Sequence, residues 1–236
     1  MSDMLDTIRR RLGVTGDEPH RRRAVEQRIA AQDAPPPPGR VMQGHNRLIA
    51  DFRARLEAQF ATTDHVASAA ALPVVIRRYL RAAALPAEIV AAPALAGMQT
   101  DAESAGLALR LGAPGDADRV GLARAALGIA ETGSLVFVSA PDMPVSLCYV
   151  PEVQIALIRA ADIAGPLEAA WHLQRCLGDD PPRSLCFISG PSRTADIEQT
   201  MFLGAHGPAQ LHVIIYDDAA FASDSETSAP DRPDRS

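Results

Sequence analysis

Three segments of this sequence carry polar side chains at spacings that suit chemistry on a small anion. The first contains Gly190, Ser192, Arg193 and Thr194, and Asp196 and Glu198 follow it. The pattern predicts a strand, a turn and then a helix that Thr194 caps, with the two acidic residues in its first turn. Gly190 would allow close approach of a ligand, Ser192 would supply a hydroxyl, and Arg193 a cation beside free helix N–H groups. The alternative is an ordinary capped helix in which Arg193 pairs with a neighbouring carboxylate.

The second segment is a tight turn after an apolar strand, formed by Glu131, Thr132, Gly133 and Ser134. Gly133 permits the positive φ that such a turn requires. Thr132 and Ser134 add two hydroxyls as candidate substrate contacts. The Glu131 carboxylate could be a nucleophile, a general base or an orienting hydrogen-bond acceptor, and the alternative is a solvated surface turn.

The third segment is a loop, Gly204–Pro208, between the predicted helix and the last strand, with His206 inside it. Gly204 is predicted to end that helix. His206 is a candidate for acid–base chemistry or ligand contact, and a structural hydrogen bond is the alternative. His172 and His212 lie inside predicted elements, where core or surface roles are expected. The spacing of His, Asp and Glu residues predicts no metal site.

Several kinds of chemistry are excluded by what the sequence lacks. All 23 basic residues are arginine, so Schiff-base lysine chemistry and the lysine-dependent phosphate loop are ruled out. Cys148, Cys176 and Cys186 are far apart, so we expect no zinc or iron–sulfur cluster in this chain. Neither the glycine-rich dinucleotide fingerprint nor the G-x-S-x-G nucleophile elbow is present. Arginine, hydroxyls and backbone N–H groups are therefore left to bind an anion.

Composition predicts one cytoplasmic α/β domain with an aliphatic core. Of the 236 residues, 47% are hydrophobic and only 4% aromatic. No run approaches the roughly 20 apolar residues of a membrane span, and no secretory signal opens the chain. A net charge of −6 argues against non-specific binding to nucleic acid.

Apolar periodicity predicts alternating strands and helices, and hence a mostly parallel sheet covered on both faces. Predicted strands cover 65–69, 87–92, 106–111, 127–131, 134–139, 153–159, 185–189 and 211–216. Predicted helices cover 46–60, 73–84, 118–125, 162–177 and 194–203.

The chain divides into three predicted regions. Residues 1–38 are predicted to be a charged helical arm with two arginine-rich runs, ending in a proline linker at 35–38. Residues 39–218 form the α/β domain. Residues 219–236 form a polar tail, predicted to be disordered from about 222.

Taken together, the three segments closely resemble the lactate-utilisation (LUD) domain family, in particular its short type called lactate-utilisation protein C. The resemblance covers roughly residues 40–218. It implies a Rossmann-like α/β sandwich, similar to the group of sugar-phosphate isomerases and CoA transferases. It also implies a role in oxidising L-lactate to pyruvate, with iron–sulfur clusters on partner proteins and no cofactor in this chain.

One residue departs from the family pattern. Gln154 stands in the strand after Pro151 and Glu152, where such proteins usually carry a His. A polar hydrogen-bonding role would survive this change, but proton transfer by that residue would not.

Three hypotheses of function follow. The first is a subunit of a lactate-oxidising system in which Arg193 holds a carboxylate and Glu131 or His206 acts on the hydroxyl proton. The second is a free-standing enzyme acting on a CoA-linked or phosphorylated substrate, with Glu131 as nucleophile or base. The third is a non-catalytic assembly protein that docks through residues 1–33. Whether the chain is an enzyme, its substrate, its electron acceptor and its oligomeric state are left open by the sequence.

Overall fold

The computed structural model of the protein describes residues 2–15, 18–31, 36, 38–39, 43–176, 181–195 and 201–217. Contacts divide the chain into two compact units, Met1–Pro36 and Pro37–Ser236. The predicted division at 38 and 218 stays a prediction. The proline linker lies partly outside the described residues, and the tail from 222 lies wholly outside them.

The first unit contains two helices, α1 (Ser2–Leu12) and α2 (Pro19–Ala31). Both expose the side chains that the structure describes, as the predicted charged arm requires. None of the helices in the described ranges has the length and apolar character needed to cross a membrane.

The second unit alternates strands and helices. Its helices are α3 (His45–Ala58), α4 (Leu72–Ala82), α5 (Gln99–Ser104) and α6 (Ala169–Cys176). Its strands are β1 (Thr62–Val66), β2 (Glu88–Ala91), β3 (Ala108–Leu111), β4 (Val120–Arg124), β5 (Leu127–Ile129), β6 (Ser134–Val138), β7 (Val153–Arg159), β8 (Ile163–Ala164), β9 (Leu185–Ile188), β10 (Arg193–Ala195), β11 (Met201–Leu203) and β12 (Gln210–Tyr216). Short 3-10 helices cover Ala69–Ala71, Pro93–Met98, Val145–Cys148 and Ala160–Asp162.

The main sheet has six strands in the order β1-β12-β7-β4-β2-β3, and every neighbouring pair is parallel. Its central strands are buried along nearly their whole length, which explains their continuous apolar sequence. The α/β fold class with a mainly parallel sheet is therefore confirmed, and β7 has the predicted bounds.

A smaller sheet has four strands in the order β8-β5-β6-β9. β5 and β6 form an antiparallel hairpin, and β9 pairs antiparallel with β6. One face of this sheet, including Leu135 and Phe137, belongs to the main hydrophobic core. Ile129 and Val136 form a separate cluster with Ala170 of α6. The small sheet is thus covered on both faces.

Helices α3 and α4 bury one apolar stripe each. In α3 the stripe is Ile49, Phe52 and Leu56, at the spacing that the sequence predicts. In α4 the proline in the first turn is compatible with the helix because that turn needs no N–H donor there.

The helix predicted over 118–125 is wrong, because this segment forms β4. β4 lies between β2 and β7 in the middle of the main sheet. A Cβ on Gly121 would come 2.7 Å from Cγ of Pro151, so the segment needs glycine to pack there. Burial between two strands overrides the helical spacing of its apolar residues.

The helix predicted over 194–203 is also wrong in its described parts. Thr194 lies in β10 and pairs with Phe202 of β11 in an antiparallel ladder. Residues 196–200, including the predicted first-turn acids Asp196 and Glu198, lie outside the described residues. Gly204 has φ +80° and follows a strand instead of ending a helix.

Two predicted boundaries shift as well. The helix predicted from 162 begins at Ala169, since Ile163 and Ala164 pair with β5 as β8. The strand predicted over 65–69 begins at Thr62, since it pairs with β12 from that residue onward.

Candidate functional site

Two of the three polar segments follow strands of the smaller sheet, and the third, Gly204–Pro208, follows β11. The turn Glu131–Gly133 follows β5, and Ser189–Ser192 follows β9, so both lie at carboxyl ends of that sheet's strands. Relative to the main sheet, the segment Ser189–Ser192 lies at the amino ends of the strands. Pro191 and Arg193 line a pocket together with Thr62 and Gln210, which are the first residues of β1 and β12. The candidate site therefore lies at the amino ends of the main sheet's strands.

A chain of hydroxyls links the two turns. Thr132 Oγ1 lies 2.6 Å from Ser134 Oγ, which in turn lies 2.7 Å from Ser189 Oγ. Ser134 is only 4% exposed, so its hydroxyl is satisfied internally. Ser189 lines a depression of about 500 Å³ on the surface. The predicted contact residues Thr132 and Ser134 thus form hydrogen bonds that connect the two turns. Ser189 is the member of this series that lines the surface depression.

Gly133 and Gly190 are glycines because the end of α3 packs against them. Gly133 has the predicted positive φ, +67°, and a Cβ there would lie 2.7 Å from Cβ of Arg55. A Cβ on Gly190 would lie 2.8 Å from the backbone oxygen of Gln59. Gly190 also lines the 500 Å³ depression, and its approach to a ligand stays a prediction.

Glu131 holds a loop in place. Its Oε2 accepts a hydrogen bond from the Leu167 N–H at 3.2 Å, and its own N–H donates to Gly165 O at 2.9 Å. These contacts support the orienting alternative for Glu131. Its acid–base or nucleophilic role stays a prediction.

Ser192 fastens the loop that contains His206. The His206 N–H donates to Ser192 Oγ at 3.2 Å, and the Ser192 N–H donates to Pro208 O at 2.8 Å. The Gly204 N–H donates to Ser192 O at 3.0 Å. The His206 side chain is exposed, and its catalytic role also stays a prediction. The side chain of Thr194 lies outside the description.

Arg193 supplies the cation of the site. Its Cζ lies 3.3 Å from the centroid of the Phe60 ring, a cation–π stack. Arg193 and Phe60 line both the 500 Å³ depression and the neighbouring pocket of about 370 Å³. The described residues lining these two cavities include no acidic side chain. Within the described part of the chain, no ion pair involves Arg193, and the neighbouring acids Asp196 and Glu198 lie outside the described residues.

We call the 370 Å³ cavity the Arg193 pocket. It is lined by Phe60, Thr62, Tyr79, Ala82, Ala83, Pro191, Arg193, Ala209, Gln210 and Leu211. The prediction from sequence named only Arg193 among these. Thr62, Tyr79 and Gln210 were missed because they come from β1, α4 and β12, which are distant in sequence. The available signal was their spacing: Thr62 and Asp64 are two residues apart, so a strand would place both polar side chains on the same face.

His212 lies behind this pocket and is 3% exposed. Its Nδ1 lies 2.8 Å from Thr62 Oγ1, and its Nε2 lies 3.4 Å from Asp64 Oδ2. Its ring stacks on that of Tyr79 at 3.9 Å with 4° between the planes. Burial lowers the pKa of His212 from 6.5 to about 4, although the Asp64 charge acts in the opposite direction. His212 is therefore a neutral imidazole at neutral pH.

Gln154 points away from His212. It pairs in register with Leu211, so the two share one face of the sheet, and His212 lies on the other. Gln154 is fully buried, and among the described residues neither polar atom of its amide has a hydrogen-bond partner. The Cys148 thiol interacts with this amide, and burial raises the pKa of the thiol to about 12. The departure from the family pattern thus lies in the core.

Among the residues that the structure describes, no group of three or more His, Cys, Asp or Glu side chains could hold a metal ion.

The fold and the motifs are those of an α/β protein that is similar to the LUD domain family. Residues 115–216 match the model of this family, and the predicted resemblance is thereby confirmed. The match contains the turn after β5, the Gly190 segment and β12. It begins after Phe60, Thr62 and Tyr79.

Relatives of the chain include proteins named for lactate utilization. An uncharacterized protein of Neisseria meningitidis serogroup B is 36% identical over 110 residues, which are 46% of this chain and 47% of that protein. The lactate utilization protein C of Shouchella clausii is 34% identical over 101 residues, 42% of this chain and 44% of that protein. The aligned part of the chain spans less than half the length of these curated relatives.

A solved structure confirms the fold. The crystal structure of a DUF162 family protein from Deinococcus radiodurans superposes with a TM-score of 0.54 at 23% identity. It covers 74% of this chain and 99% of that protein. At this identity the likeness concerns the fold alone.

Proposed function

We propose that this chain serves in lactate utilization by binding the carboxylate of a small 2-hydroxy or 2-oxo acid at Arg193. The names of the relatives support the process. The observation that carries the site is the Arg193 guanidinium, held over Phe60 at the rim of a pocket without acidic lining.

The stacking suits Arg193 to this task. A ring beneath the guanidinium leaves the N–H groups in its plane free for bidentate hydrogen bonds to a carboxylate. A charge-assisted hydrogen bond contributes about 1.5–3 kcal/mol, and the exposure of Arg193 places the expected value at the lower end. The cavity of about 370 Å³ has room for a small acid.

We further propose that the chain works in the cytoplasm as a subunit in the oxidation of L-lactate to pyruvate. That reaction removes two electrons and two protons from the substrate. The three cysteines are widely separated in sequence, so iron–sulfur clusters on partner proteins would take the electrons. This chain would hold the acid by its carboxylate.

Isothermal titration of L-lactate, pyruvate and propionate tests the site. We expect Arg193→Gln to weaken binding of all three acids about tenfold, because one charge-assisted pair is lost. Arg110→Gln is the matched control: Arg110 lies on β3 at the opposite edge of the main sheet and pairs with Asp118. Equal affinity of the wild type and Arg193→Gln would refute the proposed site.

A further inference from the structure

A series of neighbouring polar side chains runs from Arg78 to the Arg193 pocket. Arg78 Nη2 lies 2.9 Å from Asp64 Oδ1, and the other Asp64 oxygen faces His212 Nε2 at 3.4 Å. His212 Nδ1 then meets Thr62 Oγ1 at 2.8 Å. Thr62 is exposed and lines the pocket. The series therefore connects a buried imidazole to a hydroxyl that a ligand can reach.

The neighbours of His212 determine which of its nitrogens carries the proton. Among the described residues Nε2 has no hydrogen-bond partner, and the charged group that faces it is the Asp64 carboxylate at 3.4 Å. A proton on Nε2 faces the Asp64 carboxylate favourably, whereas a lone pair there would face a second oxygen lone pair. The proton of the neutral ring is thus on Nε2, and Nδ1 is left with a lone pair.

This tautomer fixes the direction of the Thr62 hydrogen bond. Because Nδ1 can only accept, the Thr62 hydroxyl donates its single proton to it at 2.8 Å. The oxygen of Thr62 then faces the pocket with lone pairs alone. A ligand group beside Thr62 must therefore be a donor.

We propose that Thr62 is a specificity-determining residue of the Arg193 pocket, accepting a hydrogen bond from the hydroxyl of a bound 2-hydroxy acid and disfavouring the 2-oxo acid of the same skeleton. The proposal rests on the proposed function, since Arg193 must first bind the carboxylate. A 2-hydroxy acid offers the donor that Thr62 needs. The carbonyl of a 2-oxo acid offers an acceptor in its place, and two facing acceptors repel each other. His212 is the positioning residue that holds Thr62 in this state.

Titration of L-lactate, pyruvate and propionate into three proteins tests the proposal. The wild type should bind L-lactate about three- to tenfold more tightly than propionate, which lacks the hydroxyl, and pyruvate no better than propionate. Thr62→Val keeps the shape of the side chain without its lone pairs and should abolish the preference. Thr62→Ser keeps the hydroxyl and should retain it. Thr62 is exposed, so neither change threatens the fold.

His212→Leu provides a second measurement. Without Nδ1 to accept its proton, the Thr62 hydroxyl can rotate and donate to a carbonyl. The ratio of the pyruvate and lactate dissociation constants should then approach one, while the Arg193-dependent affinity for propionate persists. If His212 had only a structural role, its loss would weaken the binding of all three acids to the same extent.

The outcomes separate the two proposals. If the acids bind with equal affinity and in an Arg193-dependent manner, Thr62 does not select the hydroxyl, and the proposed function stands. A lactate preference that survives in Thr62→Val overturns the inference in the same way. No binding of any acid by the wild type overturns the proposed function, and the inference with it.

Discussion

Phe60 has a backbone conformation that glycine usually adopts. Its φ is +70°, just after the end of α3. The Ala61 N–H donates to Leu56 O and the Phe60 N–H to Glu57 O, both at 3.0 Å, which is the Schellman pattern of a helix end. A phenylalanine there costs about 1 kcal/mol or more, and the residue is 61% exposed. The strain places the ring beneath Arg193.

Phe60→Gly should therefore separate stability from binding. Removing the strain should raise the free energy of unfolding by up to about 1 kcal/mol, since little buried surface is lost. Loss of the ring should weaken carboxylate binding about two- to fivefold, because an exposed cation–π contact contributes about 0.5–1 kcal/mol. Urea unfolding and calorimetric titration measure the two effects.

Ala84→Gly is the matched control for this variant. Ala84 has φ +53° in the same kind of helix end, after α4, and does not line the pocket. It should gain stability with binding unchanged. A Phe60→Gly protein that is less stable and binds normally would contradict the role given to the ring.

At the scale of elements, the carboxyl end of α3 organises the site. It packs against the turns at Gly133 and Gly190, and Gln59 Nε2 donates to Thr132 O at 3.2 Å. Phe60 continues from the same helix end to Arg193. One helix end thus fixes the two turns and the cation relative to each other.

Gly190→Ala should disturb this arrangement. The new Cβ would lie 2.8 Å from Gln59 O, so the turn or the helix end must move. We expect a loss of about 1–3 kcal/mol in the free energy of unfolding, typical of overpacking. Urea unfolding with an unchanged m-value would measure it.

Gly115→Ala controls for the loss of a glycine. Like Gly190 it lacks a positive φ, and a Cβ there would come no closer than 3.7 Å to Asp118 Oδ2. Its effect should stay within about 0.5 kcal/mol. Equal stability of Gly190→Ala and wild type would show that the helix end does not constrain the turn.

Two elements show where local sequence patterns mislead. β4 has the apolar spacing of a short helix but lies between two parallel strands. The segment from Thr194 has the residues of a capped helix start, yet Thr194 pairs with Phe202 across a hairpin. In both segments the partner strand is contributed from elsewhere in the chain, and local propensity is too weak to oppose it.

At the scale of the whole molecule, the burial of His212 makes the free energy of unfolding depend on pH. It lies in β12 between β1 and β7 and is 3% exposed. In the unfolded chain it takes up a proton near pH 6.5, but in the folded protein only near pH 4. Between these values the unfolded state holds more protons, so the free energy of unfolding falls as pH decreases.

His212→Gln should remove this part of the pH dependence. The difference in pKa corresponds to about 3 kcal/mol, which the wild type should lose relative to the variant between pH 7 and pH 4. Urea unfolding at a series of pH values measures it. His45→Gln, at an exposed position, controls for the loss of one imidazole. Parallel pH curves for wild type and His212→Gln would contradict the linkage.

The first unit has exposed apolar side chains. α1 exposes Met4, Leu5, Ile8 and Leu12, and α2 buries no residue. The docking of partner proteins through residues 1–33 is still a prediction, as is an assembly role for the chain.

The sequence by itself determined the alternation of strands and helices, the α/β class and the family resemblance. It also predicted Arg193 as the cation of an anion site, since no lysine is present. These properties follow from the order of side chains along short segments, where periodicity and turn chemistry act locally.

Only the tertiary structure decided what surrounds Arg193. Sheet pairing brings Thr62 beside His212, 150 positions later in the chain, and α4 brings Tyr79 onto the same imidazole. Burial then holds that imidazole neutral. Pairing between distant strands and the desolvation it causes depend on the whole fold, so no local pattern could have shown them.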